Sequence, residues 1–84
     1  MKEITYQNKK IKLPFPDADY SDQPLEMEEV KNPFSGQSIT MPRFAVAVYD
    51  TIIGAEQFED YDTVRAGLDW FKQYFAEQYM VVLD

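Results

Sequence analysis

Oxygen-bearing side chains fall at alternate positions in DADYSDQPLEME: Asp17, Asp19, Ser21 and Gln23, with Glu28 in twelfth place. That order mimics a calcium loop, in which hard oxygen ligands recur at every second residue and a final glutamate closes the shell. Two departures weigh against it. The sixth position is Asp22, where the sharp turn needs glycine, and the eighth is Pro24; Pro14 and Pro16 also leave no entering helix. A solvated acidic loop is the simpler expectation, and no metal is expected there. A second cluster, Glu56, Glu59, Asp60 and Asp62, has the residue types for metal binding or for an acid–base pair. The chain has no histidine and no cysteine, so the commonest general base, the commonest metal ligand, thiolate sites and disulfides all drop out. Without histidine or a glycine-rich phosphate loop nearby, helix capping and solvation account for these carboxylates. The expectation is therefore a chain that is not an enzyme, with no catalytic residue, no cofactor and no small-molecule substrate.

Recognition is the chemistry left. Aromatic residues make up 15% of the chain, and Phe44, Tyr49, Phe58, Tyr61, Trp70, Phe71, Tyr74, Phe75 and Tyr79 crowd its second half. Trp and Tyr are enriched at interface hot spots, yet rings at helical spacing in a small domain serve the core first. Trp70 and Tyr74, which the spacing places off the main apolar seam, are with Tyr79 the candidate protein interface. One helix hairpin cannot enclose every ring, which favours self-association or a protein partner.

Charge narrows the choice of partner. The net charge is −7, but residues 1–12 hold four lysines against one glutamate; a balance of +3 there leaves −10 on the rest. Phosphate backbones need clustered positive charge, which only Lys2, Lys9, Lys10 and Lys12 offer, so nucleic-acid binding is not expected. The acidic remainder suggests an alternative, an imitation of nucleic acid that occupies a DNA-binding enzyme. No apolar run approaches the roughly 20 residues that span a bilayer, and MKEITYQNKKIK lacks the apolar stretch of a secretory leader. With no disulfide, the expected address is cytoplasmic.

These residues need elements to hold them, and 84 residues allow one small domain. Residues 4–13 read as a β-hairpin turning at Asn8-Lys9, which pairs Tyr6 with Ile11 and Ile4 with Leu13 on one face. Pro14 and Pro16 end that pairing, and residues 17–24 form a polar loop. Residues 28–41 read as a second hairpin around NPFSG, with Pro33 setting one turn dihedral and Gly36 closing the turn at positive φ. Pro42 then suits the first turn of a helix capped by Thr40 or Met41 and fading at Gln57 or Phe58. Phe44, Val48, Ile52 and Ala55 share its buried face, Ala45, Tyr49 and Ile53 widen it, and Gly54 permits close backbone approach. Asp60 is the natural N-cap of a second helix over residues 61–78, where Tyr61, Val64, Leu68, Phe71 and Phe75 form the seam. The short connection makes the two helices an antiparallel hairpin. The tail MVVLD suits either a strand or more helix.

At NPFSG, AVAVYD, GAE, DY and GLDWF, with the VVLD terminus, residues 32–84 resemble a family of small tailed-phage and marine metagenomic proteins. That family has no established activity, so the resemblance assigns no site residue; it implies viral or environmental origin, an accessory role and, if viral, the host cytoplasm. The expected class is α+β: N-terminal β-hairpins (residues 1–41) packed on a C-terminal antiparallel two-helix hairpin (residues 42–84). The expected function is non-catalytic protein binding.

Overall fold

The first half of the chain is shaped by two tight turns. The computed structural model describes residues 2–84. In it, β1 (Glu3–Tyr6) and β2 (Lys9–Lys12) form one antiparallel pair, and β3 (Met27–Lys31) and β4 (Ser38–Pro42) form another. The first turn sits at Gln7 and Asn8, with φ of 51° and 65°, the double positive φ that a two-residue hairpin demands. Ile4 therefore pairs with Ile11 and Tyr6 with Lys9, which corrects the expected turn at Asn8-Lys9. Moving the turn by one residue slides the register by two, so Ile4, Tyr6, Ile11 and Leu13 keep their common face. The apolar pattern cannot distinguish the two registers.

The second turn behaves as NPFSG suggests. The Asn32 side-chain oxygen accepts from Phe34 N at 2.8 Å, Gly36 N donates to Asn32 O at 2.9 Å, and Gly36 takes φ 78°. Val30 pairs with Ile39 and Glu28 with Met41, so Val30 and the fully buried Met41 face the helices. Between the hairpins, buried Tyr20 staples the proline segment: its hydroxyl donates to Phe15 O at 2.8 Å and accepts from Phe15 N at 3.0 Å.

Helix α1 spans Arg43–Gln57 and α2 spans Tyr61–Tyr74. The expected Thr40 or Met41 cap on α1 is replaced by a tertiary one. Pro42 is the extended N-cap residue, and the first helical amides, Arg43 N and Phe44 N, donate to the loop carbonyls of Glu26 and Pro24 at 2.8 and 3.0 Å. The acidic loop thus satisfies two amides that would otherwise lack partners. On α2 the expected cap forms, with the Asp60 side chain accepting from Thr63 N. Gly67 on α2 lies against Ile52 on α1, while Phe44 packs against Trp70 and Phe75, with ring centroids 6.2 and 5.7 Å apart. Descending α1 thus means ascending α2, the antiparallel arrangement expected.

The close approach is made by Gly67, not by Gly54. A Cβ on Gly67 would stand 2.6 Å from Ile52 Cδ1, whereas a Cβ on Gly54 meets nothing within 4 Å. The buried face of α2 accordingly comprises Gly67, Trp70 and Phe71, while Tyr61 is exposed and Val64 and Leu68 are half-buried. The helix expected through residue 78 breaks at Phe75 (φ −139°, ψ 56°), and α3 (Ala76–Val82) follows. Phe75 is buried, with its ring against Tyr6, Phe44, Trp70 and Phe71. After the break, α3 packs against β4 and buries Val82, so the apolar tail is helical rather than a strand.

Candidate functional site

The three aromatic residues put forward as an interface have different environments. Trp70 is only 5% exposed, its Nε1 donates to Lys12 O at 2.7 Å, and its ring lies edge-on to Phe71 at 5.2 Å. It pins the first hairpin onto α2, which corrects its placement off the seam. Gly67 and Phe71 share its face, and a glycine gives no hydrophobic signal by which the seam could be traced. Tyr74 and Tyr79 are half-buried, Tyr74 beside Trp70 and Tyr79 beneath the Lys72 ammonium at 5.3 Å from the ring centroid.

Rings in water lie elsewhere. Phe34, at the tip of the β3–β4 turn, is 97% exposed, and Phe58, at the end of α1, is 84% exposed. Both turns are closed by hydrogen bonds. At the second, Phe58 N donates to Ala55 O at 3.2 Å, Glu59 N to Glu56 O at 3.2 Å and Asp60 N to Ala55 O at 2.9 Å. Glu59 takes φ 57° there. Tyr61, 61% exposed, adds a second ring, and Glu56, Glu59, Asp60 and Asp62 flank the two rings along the chain, all exposed. Phe58 and Tyr61 belong to the aromatic set read from the sequence, but Phe34 does not. The available signal for Phe34 was its place inside a four-residue turn, where no side chain has a core to reach.

The calcium-like loop folds into a different object. The Asp19 carboxylate accepts from Ser21 N at 3.0 Å and the Ser21 hydroxyl from Gln23 N at 3.1 Å, so these oxygens serve local turns. With Asp22, Glu28, Arg43 and Asp50 they rim an open cleft of about 470 Å³ floored by Val46 and Ala47. Arg43 lies 3.4 Å from Glu26 and 3.6 Å from Glu28, and its buried Nε makes no hydrogen bond. Partial loss of hydration, and secondarily the Glu28 charge, raise the Asp50 carboxyl above its ordinary value. Among the described residues no group of three carboxylates stands close enough to hold a metal ion, and no helix is long and apolar enough to cross a membrane. Compared with protein-family models, curated proteins and solved structures, the chain matches none.

Proposed function

We propose that the chain is a non-catalytic protein-binding module of the cytoplasm, an accessory protein of the phage or environmental kind that its C-terminal motifs resemble. The observation that carries this reading is the pair of phenylalanine rings, Phe34 and Phe58, held in water on hydrogen-bonded turns. With the backbone of each turn already held by hydrogen bonds, a partner that covers the ring has only its side-chain freedom to freeze, which makes such aromatics effective anchors. The sequence supports the same reading, because a chain without histidine or cysteine lacks the most versatile catalytic side chains.

The test is a stoichiometric complex. Tagged protein incubated with a lysate of its own cells and analysed by gel filtration with light scattering is expected to move to a defined larger mass. A strictly monomeric species that shifts with nothing removes the reading. Imitation of nucleic acid has less support, since Arg43 sits within one carboxylate group and aromatic rings interrupt the other. Salt-sensitive competition with DNA for a nuclease or polymerase would reverse that order.

A further inference from the structure

The turn between α1 and α2 contains two residues that local stability disfavours. Glu59 takes a left-handed conformation in which glycine is the usual residue. Its neighbour Phe58 leaves its ring in water although the core lies only a turn away. Neither side chain closes the turn, because the Ala55 and Glu56 carbonyls do that. The positive φ at Glu59 serves folding, since it lets the Glu59 and Asp60 amides reach the last carbonyls of α1. The exposed Phe58 ring, beside the exposed Tyr61, has no such role and points to recognition.

Charge says what the tip recognises. Glu56, Glu59, Asp60 and Asp62 are all exposed, and both ion pairs among the described residues belong to Arg43, away from this turn. Only Asp60 is engaged, through the Thr63 amide and hydroxyl. We propose that this tip docks a lysine- or arginine-rich segment of a partner protein, an inference that rests on the protein-binding reading above. Cations of such a segment pair with the carboxylates while their stems or guanidinium planes cover the faces of Phe58 and Tyr61. A nucleic-acid strand or an anionic membrane would be repelled by the same charges.

Replacing Phe58 by photoreactive benzoylphenylalanine in the full chain identifies what touches the tip. The same replacement at Phe34 serves as comparator. After irradiation in a lysate of its own cells, the adduct at position 58 is expected to map to a segment dense in lysine and arginine. A synthetic peptide of that segment should then bind the native chain, and Phe58→Ala should weaken binding about tenfold or more, as loss of an anchoring ring does. Glu59→Gln combined with Asp62→Asn should weaken it severalfold in low salt and leave little difference in high salt. Because these side chains are exposed, a cooperative melt within a few degrees of the native one verifies the fold of each variant. An adduct to an uncharged or acidic segment, or to a second copy of this chain, overturns the proposal. So does a peptide whose binding ignores Phe58→Ala or the carboxylate variant. Adducts from position 34 alone overturn the tip while leaving the protein-binding reading intact, and adducts from neither position remove both.

Discussion

At the scale of single residues, two glycines in adjacent helices make opposite demands. Gly67 faces Ile52 where a Cβ has no room, so Gly67→Ala forces the α1–α2 contact apart. Overpacking of this kind costs about 1–3 kcal/mol, against a gain of about 1 kcal/mol in helix propensity, so the net effect is destabilising. Gly54 has open space around its Cα, and Gly54→Ala collects the propensity gain alone, about 0.5–1 kcal/mol. Thermal melts should show the two variants shifting in opposite directions by up to roughly 4–8 °C; shifts of the same sign would refute the close approach. Asp50 supplies a second residue-scale prediction. Its carboxyl holds its proton more tightly when folded, because partial loss of hydration at an otherwise exposed position, and then the Glu28 charge, oppose ionisation. Its contribution is thus fully favourable below the ordinary carboxylate pKa of about 3.9, and is lost as pH climbs through the raised folded value. Asp50→Asn should therefore stabilise the protein at neutral pH, by no more than about 0.5 kcal/mol for so exposed a group, and the gain should vanish in acid. A gain independent of pH would place its cause outside this ionisation.

Between elements, Asn32 joins the β3–β4 turn to the last helix. Its Oδ1 accepts from Phe34 N and Ser35 N, and its Nδ2 donates to Val81 O at 3.0 Å, far along the chain. Asn32→Ala should cost about 1–2 kcal/mol through both ends, whereas Asn32→Asp keeps the acceptor and loses the donor. Hydrogen exchange should then accelerate in both turn and α3 for the first variant, and in α3 alone for the second. An α3 whose exchange is unchanged in both variants would mean that the link to Val81 carries nothing. The turn half of this arrangement was legible in NPFSG, because Asn, Pro and Gly each act on their own backbone. So were the α1 face of Phe44, Val48 and Ile52 and the Asp60 cap, which depend on spacing within one helix. What escaped the sequence depends on partners distant in the chain. The cap on α1 comes from the Pro24 and Glu26 carbonyls, the hairpin register from a turn whose alternative buries the same face, and the α2 rotation from Gly67 meeting Ile52. The break at Phe75 follows from packing its ring among four others, without proline or glycine to announce it. The exposed tip was half-legible: its carboxylates stood out, but whether Phe58 pointed inward or outward was fixed only when the turn closed.

For the whole molecule, charge and size together set the response to salt. The protein measures 32 × 26 × 22 Å along its principal axes, and its fifteen acidic residues outnumber eight basic ones. At about 0.01 M salt the screening length is roughly 30 Å, so every carboxylate feels nearly every other; at about 0.15 M it is roughly 8 Å, and only neighbours interact. Raising salt over that range therefore removes repulsion across the whole fold. It also weakens attraction, but the two ion pairs among the described residues are partly exposed, share Arg43 and contribute about 0–1 kcal/mol each at most. Repulsion should win, and the melting temperature at neutral pH is expected to rise by a few degrees between those salt concentrations. The gain should shrink as pH falls toward the isoelectric point near 4.4, where protonation has already removed the excess charge. A melting temperature that falls with added salt at neutral pH would mean that the lysine-bearing first hairpin is held to the acidic remainder by long-range attraction stronger than the repulsion among the carboxylates.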